Sequence, residues 1–212
     1  MTKDSYIQRV LQILNEADVN TEELIGADMT TITLFIEKHY PASWRRALKA
    51  MRRTWFEPQS FVTGAKVANG PEGTGYVIVP DDYLELYSFR MTGWKTDCIE
   101  APEETAIINR KQANEFTRGT AQRPVCVIRT TMHNGTVKRA LHYYSLPSTA
   151  DGSNQTIEKA LYIPNVTTLG DTINVTEQGA EPLCWISAAT ILTTLEKEQA
   201  AKIIESKIIE II

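Results

Sequence analysis

The side chains that could do chemistry are few and scattered. The three histidines, His39, His133 and His142, lack the H-E-x-x-H or C-x-x-C company that metal sites need. His39 is expected on a helix face, and the other two on the surface of a hairpin. The three cysteines, Cys98, Cys126 and Cys184, are odd in number and far apart in sequence. They suggest neither a disulfide framework nor a zinc cage. No G-x-S-x-G elbow is present and no cysteine has a neighbouring histidine, so nucleophilic catalysis has no support. The glycines of 70–75 lack the Gly-Lys-Ser/Thr ending of a phosphate loop and precede a strand, where such a loop would follow one. Asp81-Asp82 follows Pro80 as ordinary turn chemistry and is not expected to act as a carboxylate pair. The expectation is a protein without catalytic residues, metal or cofactor, not an enzyme.

The elements around these residues give an α+β chain. Ile7, Val10, Leu11 and Leu14 lie at i, i+3, i+4 and i+7, one buried face of a helix over 5–17. A connection follows to Met29, with a helical turn near Thr21–Leu24. Ile32, Phe35, Ile36, His39 and Tyr40 form the stripe of a second helix that Pro41 ends or kinks. Ser43 is placed to cap a third, carrying Trp44, Ala47, Leu48 and Met51. After Pro58 the pattern changes. Strands are predicted at 76–79 and 84–91 around Pro80-Asp81-Asp82, at 160–163 and at 172–175, with a short helix near 103–116. Asn134-Gly135 predicts a two-residue type I′ hairpin turn. Folding about it sets Cys126 opposite Tyr143, Ile128 opposite Leu141 and Met132 opposite Val137, all on one apolar face. Arg129, Thr131, Lys138 and His142 fall on the other face. Pro182 suits a first helical position, and from there an unbroken helix to Ile212 would span roughly 46 Å. That helix is apolar on more than one side and must bury more than one face. The predicted layout is a helical bundle from 1–59 and 181–212, with a mainly antiparallel β-module inserted at 60–180.

Composition is that of an ordinary globular chain: 42% hydrophobic and 23% charged residues, with net charge −4. This argues against disorder and against bulk attraction to nucleic acid or an anionic membrane. No apolar run approaches the length of a membrane span, and the first residues lead into a charged amphipathic segment and not a secretion signal. A soluble protein made in a reducing cytoplasm is expected. Its charge is unevenly placed. Residues 1–37 hold two basic and seven acidic side chains, while 38–53 hold six basic and none acidic. Arg45, Lys49 and Arg52 share one helical stripe, flanked by Arg46 and Arg53. This is either a solvated face balancing the acidic start or a contact surface for an acidic partner or passing DNA. Ile203, Ile204, Ile208, Ile209, Ile211 and Ile212 are spread around the last helix and form a candidate subunit interface.

The order of several segments resembles a known group. A basic helix ends in Arg53-Thr54-Trp55-Phe56 and a Gly-rich loop follows. Then come Gly75-Tyr-Val-Ile-Val-Pro-Asp-Asp-Tyr-Leu-Glu-Leu-Tyr-Ser-Phe-Arg-Met91 and Gly93-Trp94-Lys95. Arg123-Pro-Val-Cys126, Leu141-His-Tyr-Tyr-Ser-Leu-Pro147, Ile157-Glu-Lys-Ala-Leu-Tyr-Ile-Pro164 and Leu183-Cys-Trp-Ile186 complete the series. Over about residues 40–195 this resembles the ring proteins of the head-to-tail junction in crAss-like bacteriophages. It is similar, more distantly, to the tail tubular protein A adaptors of short-tailed phages. The resemblance implies a structural virion protein made in the host cytoplasm, whose copies form a ring, usually twelve-fold, beneath the portal and around the DNA channel. Its implied partners are its own copies, the portal protein and neighbouring tail or ring proteins, with DNA passing through unread and no membrane involved. The alternatives are another phage neck or tail-completion protein, or a nucleic-acid-binding accessory protein using the basic helix 45–53.

Overall fold

The computed structural model describes residues 1–16, 29–63, 65, 67–69, 74–144 and 156–212. The expected turn at Thr21–Leu24 and most of the 70–75 loop lie outside these residues. The chain is α+β, with N- and C-terminal helices flanking an antiparallel strand module. It divides into two compact units, Met1–Glu57 with Asn165–Ile212, and Pro58–Pro164. Residues 165–180, assigned to the β-module by sequence, belong to the helical unit. The strand expected at 172–175 is reduced there to single bridges, Thr172 to Thr2 and Val175 to Phe56.

In the helical unit, α1 (Lys3–Glu16), α2 (Met29–Ala50) and a C-terminal pair, α4 (Glu177–Thr194) and α5 (Glu198–Ile211), surround one core. α1, α2 and α5 all pack on α4. That explains why α4 is buried around its circumference, from Leu183, Cys184, Trp185 and Ile186 through Ile191 and Leu192. Pro41 neither ends nor divides α2. Ile36, Tyr40, Trp44 and Ala47 form one continuous buried stripe across it, and this packing outweighs the one backbone hydrogen bond that proline forfeits. Ser43 is therefore no cap: it sits inside the helix and its hydroxyl donates to the His39 carbonyl at 3.1 Å. Likewise Pro182 is not the first helical residue. α4 starts at Glu177, where the Thr176 hydroxyl accepts from the Gly179 amide at 3.3 Å.

The long C-terminal helix is broken. Glu196 takes a φ of 59°, the Glu196 amide donates to Thr193 and the Lys197 amide to Leu192. This is the Schellman closure that glycine usually completes. The chain turns back, and α5 lays Ala201, Ile204 and Ile208 against α4.

The β-module holds two antiparallel sheets. One has the order β1 (Gln59–Ser60), β7 (Ile157–Pro164), β4 (Tyr83–Met91); the other is β2 (Val67–Asn69), β3 (Thr74–Ile78), β6 (Thr136–Tyr144), β5 (Val125–His133). The Pro80–Asp82 turn is thus a corner between sheets and not a hairpin. Residues of both sheets, among them Val77, Leu86, Phe89, Ile128, Leu141 and Ala160, form one buried cluster. β5 and β6 pair as their turn requires: Cys126 with Tyr143, Ile128 with Leu141 and Met132 with Val137. Asn134 and Gly135 have φ of 49° and 76°. A short helix, α3 (Ala106–Ala113), is capped by Thr105, whose hydroxyl accepts from the Ile108 amide.

Candidate interaction surfaces

The five basic residues of 45–53, three on α2 and two beyond it, do not act alike. Arg45, Lys49 and Arg52 are exposed, whereas Arg46 and Arg53 are half-buried. Arg46 is committed to the fold, its guanidinium pairing with Glu205 on α5. Arg45 Nε donates to Asn165 Oδ1 at 3.3 Å, and the Arg52 guanidinium lies 5.6 Å from the Trp55 ring centroid. After Met51 and Arg52 a separate 3₁₀ turn follows, Arg53–Trp55. Its Trp55 carbonyl accepts from both the amide and the hydroxyl of Thr176. Gly179 is required beneath it, because a Cβ there would lie 2.6 Å from the Trp55 carbonyl oxygen. Arg45 and Lys49 lie on α2, but Arg52 falls beyond its end at Ala50 in extended backbone (φ −65°, ψ 133°), so the three are exposed cations and not the single helical stripe that their spacing predicted.

The six isoleucines are also divided. Ile204 and Ile208 are buried on α4, Ile212 is half-buried, and Ile203, Ile209 and Ile211 are exposed. Ile203 and Ile211 stand at i and i+8 with Lys207 between them, and Lys207 lies over the Trp185 ring at 5.1 Å. Ile209, 81% exposed, falls well off that line by helical spacing. What remains outside is Ile203, Ile209 and Ile211, set at different angles around α5.

On the β-module the hairpin departs from its expected burial. Met132 and Val137 are paired as expected but are 66% and 67% exposed. The apolar face is covered only up to Ile128 and Leu141, so the arm beyond projects past the core. The opposite face is less wet than expected. Val127, Ala140 and Tyr144 are buried there, alongside the segment after β4: Arg129 bonds Glu104 and Asn109, and Gly119 sits against the Tyr144 carbonyl. His142 is half-buried and stacks on Tyr76 at 5.1 Å. Burial, with the Arg129 cation assisting, pushes its pKa down to about 4. His133 meets the edge of the same tyrosine at 6.4 Å. His39 lies on α2 against Phe35, and its pKa is lowered by burial and by Lys38.

The carboxylates of Asp81 and Asp82 go separate ways, one to Lys138 at 3.0 Å and the other to the Tyr162 hydroxyl at 2.9 Å. Asp97 anchors the surface near β4, receiving Lys159 at 2.8 Å and the Ser88 hydroxyl at 2.7 Å. Those two bonds hold its carboxyl below the usual range. Among the described residues no three His, Cys, Asp or Glu side chains are grouped to hold a metal ion, and no helix is long and apolar enough to cross a membrane. The sequence spacing missed one proximity: Cys98 and Cys126 are neighbours in the same core. No protein-family model and no curated protein matches the chain.

Proposed function

We propose that the chain is a non-enzymatic structural subunit of a bacteriophage head-to-tail connector, forming a ring, twelve-fold by resemblance, beneath the portal and around the DNA channel. The reading rests on the ordered series of segments from Arg53 to Ile186 that resembles the crAss-like ring proteins. The observation that carries the contact is the exposure of Arg45, Lys49 and Arg52, in a run of six basic and no acidic residues within an otherwise acidic chain. Such a local field suits an acidic protein surface on a neighbouring copy or on the portal. Heterologous contacts of this kind close into a ring only at the correct rotation. A channel that passes DNA of any sequence gains nothing from reading base edges, so a protein partner is favoured over DNA.

The test is the triple variant Arg45→Gln, Lys49→Gln and Arg52→Gln, mixed with the portal and weighed by native mass spectrometry. The variant should keep the wild-type unfolding midpoint and fail to form the ring. Rings at wild-type occupancy would assign these cations to solvent. Tight, salt-dependent binding of duplex DNA by the wild-type chain, lost in the variant, would favour the accessory-protein alternative. Deleting 203–212 is not a clean probe of the helix end, because Ile204 and Ile208 belong to the core. Ile203→Ser with Ile209→Ser and Ile211→Ser tests the exposed residues alone, and unchanged assembly would place the interface elsewhere.

A further inference from the structure

We infer that Cys98 and Cys126 form a peroxide-oxidisable dithiol site, in which Cys98 is the residue attacked and Cys126 the resolving partner that closes an intramolecular disulfide. The backbone brings them together through independent pairings. Cys98 bridges Phe89 of β4, with both backbone hydrogen bonds at 2.8 Å. Cys126 of β5 stands opposite Tyr143 of β6. The rings of Phe89 and Tyr143 stack at 6.4 Å, and Trp94 closes on both at 5.6 and 6.0 Å. The strand-like segment after Cys98 then continues along β5: the Ile128 amide donates to Pro102 at 2.9 Å and the Glu104 amide to Ile128 at 3.0 Å. Two residues facing a stacked ring pair from adjoining backbones are left facing each other.

The two thiols lie close enough to perturb one another, Cys126 lowering the pKa of Cys98 and Cys98 raising that of Cys126. The Cys98 thiol donates to the Glu100 carbonyl at 3.2 Å, which leaves its sulfur as an acceptor. Acceptance favours the Cys98 thiolate and lowers its pKa, while burial pushes the Cys126 thiol well up. Access is uneven in the same sense. Both line an open cavity of about 470 Å³ with Ile99, Pro102 and Ile108, and of these two buried thiols Cys98, at 7% exposed against 1%, is the more accessible. A small neutral peroxide entering this cavity meets Cys98 first.

The chemistry balances. The Cys98 sulfur attacks one peroxide oxygen, the O–O bond breaks, a sulfenic acid forms on Cys98 and water leaves. The Cys126 sulfur then attacks the Cys98 sulfur, the S–S bond forms, and the sulfenic hydroxyl departs with the Cys126 proton as a second water. The two thiols are oxidised by two electrons and the peroxide is reduced to two waters. Cys184 is buried in α4 of the other unit and its thiol is pushed up to about 12 by burial, so it serves as an internal control.

The experiment takes the full chain, fully reduced and freed of reductant, and exposes it folded to hydrogen peroxide. The chain is then unfolded in N-ethylmaleimide and digested with trypsin. Alkylation should fall from three thiols to one, Cys184. The intact mass should drop by two hydrogens, and peptide 96–110 should appear linked to peptide 119–129. In Cys126→Ser, dimedone should trap a sulfenic acid on Cys98; in Cys98→Ser, Cys126 should stay unmodified. Three alkylated thiols after peroxide would overturn the inference, as would a link involving Cys184 or a second chain. Sulfinic acid on Cys98 without the linked peptide would overturn it equally. The wild-type measurement decides the matter even if a serine variant fails to fold.

Discussion

The helical unit and the β-module treat buried polar groups differently. In the helical unit the Tyr6 hydroxyl donates to Ser187 Oγ at 2.7 Å, and that hydroxyl donates onward to the Leu183 carbonyl at 2.7 Å. The Arg9 guanidinium grips Glu181, which also accepts from Trp185 Nε1 at 2.8 Å. In the β-module the Tyr83 and Tyr143 hydroxyls, Trp94 Nε1 and His142 Nε2 are buried and make no hydrogen bond to the described protein. The contrast follows from backbone accounting. A helix carbonyl keeps a spare lone pair that a hydroxyl one turn ahead reaches at little cost. Ladder groups between paired strands lie in the plane of the sheet, away from side chains that stand perpendicular to it. Among the described residues the helical unit thus leaves no buried side-chain polar atom without a partner, and the sheet core holds polar atoms with unused capacity.

The largest effect should come from the aromatic series Tyr6, Tyr40, Trp44 and Phe56, whose centroids are 5.4, 6.0 and 5.2 Å apart in turn. Trp44 is 1% exposed, and Trp44→Ala should cost about 3–5 kcal/mol in urea unfolding. A loss below about 1 kcal/mol would show that this core can collapse around the gap. His142 comes next. Its folded pKa of about 4 lies below the ordinary value near 6.5, so the unfolded chain takes a proton that the folded chain refuses. Stability should fall as pH drops from about 6.5 to about 4, by on the order of 1–2 kcal/mol for this residue. His142→Gln should flatten that part of the curve, measured by unfolding midpoints across the range.

The matched pair Tyr6→Phe and Tyr143→Phe tests the polar contrast directly. Tyr6→Phe removes a made bond and should cost about 0.5–1.5 kcal/mol. Tyr143→Phe removes an unpaired hydroxyl and should be neutral or stabilising. Equal losses in the two variants would erase the contrast. The smallest effect belongs to the hairpin arm: Met132→Ser with Val137→Thr should move stability by less than about 0.5 kcal/mol, since surface changes rarely exceed that.

The α+β class, the helix over 3–16, the hairpin turn and its register were legible because each depends on residues close in sequence. Asn134-Gly135 sets its turn locally, and a two-residue turn leaves one pairing register. The break at Glu196 was not legible, because no glycine or asparagine marks it. The left-handed residue is sustained by α5 returning to α4, a contact between distant turns. The Cys98–Cys126 proximity was hidden in the same way, since it passes through Phe89 and Tyr143 on different strands. The basic run was legible as a cluster but not as a stripe, since α2 ends before Arg52, and only packing separated Arg46, spent on Glu205, from Arg45, Lys49 and Arg52.

Periodicity thus established which residues share a face: the stripe of α1, the two faces of the hairpin and the all-round apolar character of the last helical segment. Tertiary structure decided what covers each face. It buried the middle of α4, Pro182–Ala189, within its own unit, left Met132 and Val137 outside although they lie on the core side, and carried α2 through Pro41. The reason is physical. Side-chain alternation is fixed by backbone geometry within a few residues, whereas burial depends on area removed from water by segments far away in the chain.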